Sequence, residues 1–274
     1  ASIYLDVVRA VAEAAPGISI HGFRPTELQD GARRAGLPLP EFLVALREAG
    51  LSSVPGTAAV ILDDDVRSRF SGGALPPVAE WIATVEAAHR AGLGSTSTMV
   101  YGHTESPGQI VAHLRTLAAI QGRTGGFTEF IPMPFVPGDA PHGVASLARA
   151  WAREHGRPSD AFGPSPAQSR ALIAVSRLVL AGRIDHVQAA WTKLGFGITA
   201  QTLRGGVDDI GGMLLDGVLW PEAGPEARLA LTAGDVEALA RASGRPARQR
   251  DTGYGAIGLP GGMLSPDRSA AVPS

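Results

Sequence analysis

Apolar residues recur along this chain with two different periods. Longer segments repeat them every three or four positions, which is the spacing of an amphipathic helix. Shorter segments between these are alternating or almost continuously apolar, which favours strands. The pattern predicts helices over 3–15, 25–34, 41–49, 77–91, 109–121, 167–181, 198–204 and 232–242. It predicts strands over 18–22, 51–54, 95–101, 127–135, 185–191 and 207–211.

Helices and strands alternate through the whole pattern, and this order predicts a parallel sheet with right-handed crossovers. An open doubly wound sheet and a barrel both fit. No glycine-rich phosphate-binding turn follows the first strand, which weakens a dinucleotide-binding fold. Six strands are predicted where a closed barrel has eight, and the pattern opens in a helix. We therefore expect an α/β fold, a partial parallel (β/α) barrel over 1–247 without its first two βα units, and a tail over 248–274.

Composition narrows the function classes. The net charge is -2, so bulk charge does not attract nucleic acid or an anionic membrane. No apolar run has membrane-spanning length, and we expect a cytoplasmic protein. The chain has no cysteine, which excludes disulfides and thiolate-bound metals or clusters within it. A passage rich in Pro and Gly over 136–166 is expected to form a lid or a binding loop.

Polar residues and glycines cluster where the predicted strands end, which is where parallel barrels carry their chemistry. Thr57 lies in a Pro-Gly turn, where it suits substrate or ribose hydroxyls. Glu129 lies in an apolar strand, where an unpaired carboxylate is costly. Lys193 is placed to neutralise a carboxylate, with Asp208 and Asp209 as candidates. The candidate substrate-binding residues are His21, Thr57, Glu129, Gln188, Trp191, Lys193, Asp208 and Asp209.

Several candidates also have a structural interpretation. His21, Thr57 and Trp191 fit a structural histidine, an ordinary turn and a core tryptophan, and Glu129 fits an ion pair. The aspartates over 63–65 resemble a metal site only superficially, because negative charge suits the start of a helix. We expect no metal ligands in this chain. The other histidines are expected to be solvated or packed: His89, His113, His155 and His186.

Five blocks stand out in the sequence, at 54–67, 99–105, 124–135, 191–195 and 244–255. Together they resemble the radical S-adenosylmethionine enzymes of deazaflavin synthesis. The resemblance is strongest to the second half of the FO synthase family and runs from about residue 3 to 255. Two enzymes of the menaquinone pathway, which make aminofutalosine and cyclic dehypoxanthinylfutalosine, share the second and third blocks. The first block favours FO synthase over them.

The resemblance implies a radical mechanism. A 4Fe-4S cluster on a Cys-x3-Cys-x2-Cys loop reduces S-adenosylmethionine to a 5'-deoxyadenosyl radical, which abstracts hydrogen from L-tyrosine. The tyrosine side chain then leaves as a hydroxybenzyl-type radical and adds to 5-amino-6-(D-ribitylamino)uracil. An electron donor protein, and the first FO synthase subunit or domain, are the implied partners. Because this chain has no cysteine, the cluster ligands are absent from it, and we expect a fragment that is inactive alone.

The resemblance also assigns a binding segment. It places the S-adenosylmethionine at the end of the third predicted strand, where strand backbone meets the adenine and a glycine allows close approach. An ordinary turn in which Glu105 caps the next helix is the structural alternative. The residues implied for S-adenosylmethionine are Met99, Tyr101, Gly102, His103 and Glu105. Under the resemblance, Asp208 and Asp209 either pair with Lys193 or meet ribityl hydroxyls of the substrate. No catalytic residue is assigned.

This chain departs from the family pattern near several strand ends. Val60 stands where relatives have glutamate, and the stretches 137–139, 208–213 and 216–220 also differ. These changes leave two alternatives to an FO-synthase-like transferase. One is a futalosine enzyme of the menaquinone pathway. The other is a barrel that has lost the cluster and binds a small heterocycle without radical chemistry.

Overall fold

The structure, a computed structural model, describes residues 3–136, 150, 153, 163–212 and 231–257. These residues form five strands and nine helices. The strands are β1 (Ile20–His21), β2 (Leu51–Val54), β3 (Gly94–Tyr101), β4 (Phe127–Pro134) and β5 (His186–Val187). The helices are α1 (Ile3–Ala14), α2 (Pro25–Ala35), α3 (Leu39–Glu48), α4 (Asp64–Ser71), α5 (Val78–Arg90), α6 (Pro107–Thr124), α7 (Pro166–Leu180), α8 (Trp191–Leu203) and α9 (Ala233–Ala242).

The five strands form one parallel sheet in the order β1-β2-β3-β4-β5. Each strand lies beside the next one in sequence and helices make the crossovers, as in the βα units of a barrel. Within the described residues the sheet does not close, because β1 and β5 remain its two edges. The α/β class is therefore confirmed, and the open sheet is consistent with part of a (β/α) barrel.

The last predicted strand, over 207–211, is wrong as a strand. It reduces to one isolated parallel bridge between Gln188 and Asp209. Val207 and Ile210 are nevertheless buried. Their burial within a loop produced the apolar alternation that predicted a strand.

The prediction around Trp191 also needs correction. A strand was predicted over 185–191, but β5 ends at Val187 and Trp191 begins α8. The predicted helix over 198–204 is the second part of α8. Gly195, at φ 70° and ψ 162°, interrupts the helical backbone, and this break concealed the helical period of the preceding turn.

Two apolar clusters cover the helix-facing side of the sheet. One packs Trp81, Leu114 and Phe130 between β3–β5 and helices α5–α8. The other packs Phe42 and Leu51 among α1–α3, α5 and β2. Because the helices bury one stripe each against this side, polar groups of the sheet remain for its opposite face and its ends.

Some expectations fall outside the described residues, namely most of the loop over 136–166, the tail beyond 257 and the divergent stretches 137–139 and 216–220. Within the part of the chain that the structure describes, no helix combines the length and the apolar character needed to cross a membrane.

Candidate functional site

The loop after β2 folds back along β3 in a strained conformation. Ala58 and Val60 have left-handed backbone angles, with φ of 61° and 52°, and each such residue costs roughly 1–3 kcal/mol. A Cβ atom on Gly56 would lie 1.9 Å from the carbonyl oxygen of Thr96. The Gly56 amide instead donates to Thr96 Oγ1 at 2.9 Å. A glycine is therefore required here, and neighbouring groups must hold the loop.

Arg67 holds this loop. Its side chain is buried, with 1% of the residue exposed. Nη1 donates to the carbonyls of Ala58 and Ala59 at 2.5 and 2.7 Å. Nε and Nη2 donate to the Pro76 carbonyl at 3.2 and 2.8 Å. Burial lowers the pKa of Arg67, and these carbonyls replace the water that its charge has lost.

Thr57 lies at the centre of this held loop. Its carbonyl accepts from Trp81 Nε1 at 3.1 Å. Its own hydroxyl is buried and has no hydrogen-bond partner among the described residues. An unsatisfied buried hydroxyl costs about 1–3 kcal/mol. This orphan group at a strand end suits a hydroxyl-bearing ligand, although contact with a ligand remains a prediction.

The turn after β3 is closed by Glu105. Glu105 Oε1 accepts from the Gly102 amide at 2.5 Å, and Oε2 accepts from the His103 amide at 2.9 Å. The following helix has its own cap, because the Ser106 hydroxyl accepts from the Gln109 amide at 3.3 Å. Glu105 therefore shapes its own turn and does not cap α6.

The His103 ring is buried under this turn. It lies between the rings of Phe70 and Phe135, with centroids 4.9 and 5.9 Å away. Burial lowers the pKa of His103, and in the neutral ring Nε2 donates to the Val100 carbonyl at 3.0 Å. The buried ring thus fixes the backbone at the end of β3 through its hydrogen bond to Val100.

Met99 and Tyr101 lie on the helix-facing side of β3. Both belong to the apolar cluster that contains Leu114 and Leu117 of α6. Burial raises the pKa of Tyr101 to about 12. Their side chains are packing groups, while their backbone reaches the strand end. The backbone contact with S-adenosylmethionine stays a prediction.

The opposite, inner face of the sheet carries a buried acid. Phe130 and Val187 pack toward the helices, so their strand neighbours Glu129 and His186 project from the inner face. Glu129 is 7% exposed, and its Oε2 atom is buried with no hydrogen-bond partner among the described residues. Burial raises its pKa, and the charge of Arg250 acts in the opposite direction.

Asp208 is bonded within the protein at both carboxylate oxygens. Oδ1 accepts from the Val187 amide at 2.8 Å and from Arg177 Nη2, and Oδ2 pairs with His186 Nδ1 at 2.7 Å. Hydrogen bonds to the backbone and to these partners lower its pKa against the effect of burial. The ion-pair interpretation therefore fits Asp208, with Arg177 as the described cation.

Asp209 is held by the C-terminal segment. Its Oδ2 accepts from Arg250 Nε at 2.7 Å, from Arg250 Nη2, and from the Tyr254 hydroxyl at 2.5 Å. Its Oδ1 accepts from the Gly211 amide at 2.7 Å. The Tyr254 ring stacks on His186 at 3.7 Å and 6°, and the Arg250 guanidinium lies 3.9 Å from the Tyr254 ring centroid. We call residues 250–254 the C-terminal latch.

The other candidates lie around β5 and at the free edge. Gln188 packs against Gly211, where a Cβ would be 2.6 Å from its Nε2 atom. Trp191 is 3% exposed and donates from Nε1 to the Gly212 carbonyl at 3.4 Å, as a core tryptophan would. Lys193 lies half-buried in the first turn of α8.

His21 is exposed at the edge strand β1, and its Nδ1 atom lies 2.7 Å from the Ser53 hydroxyl. It lies beside β2 but far along the sheet from the candidates around β5, since β2, β3 and β4 lie between β1 and β5. A contact of His21 with substrate therefore depends on a ligand that crosses the inner face.

The structure places the candidates at two levels. The register pairs Tyr101 with Pro134 at the carboxyl end of β3 and β4, five residues beyond Glu129. At 3.3 Å per residue the two levels are about 16 Å apart. The turn at 102–105 forms the upper level, and the loop around Thr57 runs beside β3 from Thr96 to Val100, between the two levels. The lower level contains Glu129, His186, Asp208 and Asp209.

Three residues around the site were not among the candidates predicted from the sequence. Arg250 and Tyr254 lie in the last block of the resemblance, but a loop without periodicity gives no sign of long-range pairing. His186 was expected to be solvated or packed, and it does stack on Tyr254, but its bond to Asp208 was not predicted. The expectation for 63–65 is confirmed, because Asp63 caps α4 by accepting from the Val66 amide at 3.0 Å. In the described residues no group of three or more His, Cys, Asp or Glu side chains is placed to hold a metal ion.

An open parallel α/β sheet with polar groups at its strand ends and on its inner face defines a partial (β/α) barrel. The chain is similar to FO synthases over most of its own length. It is 46% identical over 251 residues to the FO synthase of Mycobacterium tuberculosis and 45% identical over 254 residues to that of Streptomyces coelicolor. These matches cover 92% and 93% of this chain but only 28% of each relative.

A shorter archaeal relative is also similar. The 5-amino-6-(D-ribitylamino)uracil--L-tyrosine 4-hydroxyphenyl transferase of Methanothermobacter thermautotrophicus is 39% identical over 251 residues, which cover 92% of this chain and 65% of that protein. The chain thus spans less than two thirds of these relatives. No model of a known protein family matches it.

Proposed function

We propose that this chain is part of a transferase that joins the hydroxybenzyl group of L-tyrosine to 5-amino-6-(D-ribitylamino)uracil by radical S-adenosylmethionine chemistry. The similarity to the archaeal transferase, 39% over 92% of this chain, carries the proposal. That relative is named for this reaction, and the longer FO synthases match the same region. The proposal assigns the substrates of these relatives to the inner face of the present sheet.

The two implied cofactors differ in how they fit the residues present. A 4Fe-4S cluster needs cysteine thiolates, and the chain has no cysteine, so the cluster does not fit this chain and no step is derived through it. Under the proposal its ligands belong to a part of the enzyme outside the present sequence. An electron donor protein and the first FO synthase subunit or domain are the further proposed partners.

S-adenosylmethionine fits better. The buried, orphaned hydroxyl of Thr57 suits a ribose hydroxyl, and the fixed backbone from Met99 to Glu105 offers peptide groups at the neighbouring strand end. When bound, S-adenosylmethionine supplies the radical chemistry. The chain's own residues bind, orient and shield: Arg67 fixes the Thr57 loop, and Glu105 fixes the turn after β3.

A chimaera tests this function. The matching segment of the M. tuberculosis FO synthase is replaced by this chain, and the purified, reconstituted protein receives L-tyrosine, 5-amino-6-(D-ribitylamino)uracil and S-adenosylmethionine. We expect the coupled deazaflavin precursor, detected by mass spectrometry. A chimaera that binds its cofactors but forms only futalosine-type products, or no coupled product, would contradict the proposal. The unaltered FO synthase is the positive control.

A further inference from the structure

We propose that Glu129 forms the floor of a polyol-binding site on the inner face of the sheet, and that Arg250 and Tyr254 are positioning residues which hold this floor. The ligand class is a heterocycle with a hydroxylated chain, in which the chain reaches Glu129. This inference rests on the proposed function for the identity of the ligand and assigns its two ends to two levels of the barrel.

Glu129 has a free carboxyl oxygen on the inner face of the sheet. The residue is more than nine-tenths buried, and Oε2 has no partner within the described residues. A buried carboxyl oxygen left without a hydrogen bond is costly. A ligand hydroxyl can both donate and accept, so it satisfies this oxygen in either protonation state, and it bonds the ionised form more strongly.

Glu129 lies deep along the sheet, away from the carboxyl ends of β3 and β4. Barrel chemistry occurs at the carboxyl ends of the strands, whereas Glu129 lies about 16 Å below the level of Tyr101 and Pro134 along the sheet. A compact ligand that reacts at the upper level does not reach this acid. An elongated ligand does, with its reacting ring at the upper level and a flexible polar chain directed downward.

Glu129 has a carboxyl oxygen free for a ligand, whereas the two neighbouring aspartates do not. Asp208 is engaged by Arg177, His186 and the Val187 amide. Asp209 is engaged by Arg250 and Tyr254 of the latch and by the Gly211 amide. Each aspartate therefore has both oxygens occupied, and Glu129 alone of the three carboxyl groups keeps a buried oxygen available.

The C-terminal latch acts on Glu129 through the charged groups around it. The charged groups that act on Glu129 are Arg250, Asp209 and His186. Tyr254 stacks on His186 and bonds to Asp209, so it connects two of them. Arg250 neutralises Asp209 and favours the ionised form of Glu129. Loss of the latch would thus change both the position and the protonation of the floor without touching the ligand.

A ligand pair separates the floor from general folding effects. Binding of 5-amino-6-(D-ribitylamino)uracil and of 5,6-diaminouracil, which lacks the ribityl chain, is measured by calorimetry on the chimaera and on the full chain. We expect Glu129→Leu to weaken the ribityl ligand about tenfold, the loss of one hydrogen bond to a buried carboxyl group. Binding of 5,6-diaminouracil should be unchanged. Glu129→Gln, which keeps polar atoms, should restore most of the affinity.

The latch has its own variants. Arg250→Gln should also weaken only the ribityl ligand, and it should shift the pH dependence of that binding to higher pH, because Arg250 lowers the pKa of Glu129. Tyr254→Phe keeps the stacking and should show a smaller, ligand-selective loss. Arg248→Gln, at an exposed arginine of the same segment, is the matched control and should change neither ligand.

Two outcomes would overturn the inference. One is a Glu129→Leu variant that binds both ligands like the unaltered protein, or loses both equally. The other is an unaltered protein that does not distinguish the two ligands. A chimaera that shows the selective loss but forms no coupled product would leave the polyol site standing and refute the proposed reaction, so the two failures are distinguishable.

Discussion

Individual residues with unfavourable backbone angles determine the shape of the loop after β2. Ala58 and Val60 are left-handed, and a β-branched valine there is unusual. Val60 is also a position where the family resemblance predicts glutamate. Nothing in the sequence around 55–60 announces this strain, because Pro-Gly-Thr reads as an ordinary turn. The strain became visible only in the backbone and in the buried arginine that holds it.

Arg67→Met should lower the free energy of unfolding by about 3 kcal/mol, because three carbonyls lose their donors in a buried place. Urea denaturation of the full chain measures this. Arg69→Met, at an exposed arginine of the same helix, is the control and should change stability by less than about 0.5 kcal/mol. Equal losses in the two variants would contradict the role given to Arg67.

Ala58→Gly should stabilise the protein by about 0.5–1 kcal/mol, since glycine adopts φ of 61° without strain. The gain is reduced by the greater freedom of glycine in the unfolded chain. Ala83→Gly, in the exposed middle of α5, should destabilise by about 1 kcal/mol. Thermal unfolding that shows the same sign for both substitutions would argue against strain at Ala58.

At the scale of elements, sequence patterns were most informative where a helix has a polar start and a single apolar stripe. α1, α6 and α7 lie close to their predicted bounds, and Ser106, Ser165 and Thr232 cap their helices as such residues do. The patterns failed where burial occurs without regular structure, at 207–211, and where a glycine breaks a helix, at Gly195. The contact of the C-terminal latch with β5 is long-range and has no local signal.

Helix α6 is joined to the β2 loop by His113, whose Nδ1 accepts from the Leu62 amide at 2.9 Å. Complete burial lowers its pKa to about 3. The unfolded chain takes up this proton near pH 6.5, while the folded protein does so only near pH 3. Stability is therefore complete above pH 6.5 and falls by up to about 1.4 kcal/mol per unit as the pH decreases between these values.

His113→Gln should flatten this acid dependence, because glutamine does not titrate. Urea midpoints at several pH values between about 7 and 4 test the slope for both proteins. His89, whose pKa burial lowers to about 4, provides an internal comparison, and His89→Gln should flatten the same limb less. Parallel curves for the unaltered protein and His113→Gln would show that this histidine is not the sensor.

At the scale of the whole molecule, the sheet does not close among the described residues, and the sequence predicted this by having too few strands for a ring. What the sequence could not give is the division of the candidates between two levels. Strand-end residues such as Glu105 and strand-start residues such as Glu129 look alike in a linear reading, because the depth of each position depends on the register between β3 and β4. The register also explains why an elongated ligand is needed to connect them.

The open side of the molecule should promote self-association of the isolated chain. Ile3, Val7 and Val11 lie along α1 with 67%, 47% and 41% exposure, and Ile18 beside the edge strand is 66% exposed. Neighbouring apolar groups of this kind favour association, and an unpaired strand edge adds to it. Sedimentation velocity over a range of concentrations should show dimers or larger species, and Val7→Glu combined with Val11→Arg should shift them toward monomer.

The control for this shift is Leu178→Glu, which adds a charge at a 77% exposed leucine on α7, away from the α1 face. If association were a general effect of exposed apolar residues, the control would reduce it as strongly as the α1 variant does. A chain that sediments as a monomer at every concentration would contradict the prediction directly. A shift toward monomer with the α1 variant but not with Leu178→Glu would identify the α1 face as the surface through which the chain associates.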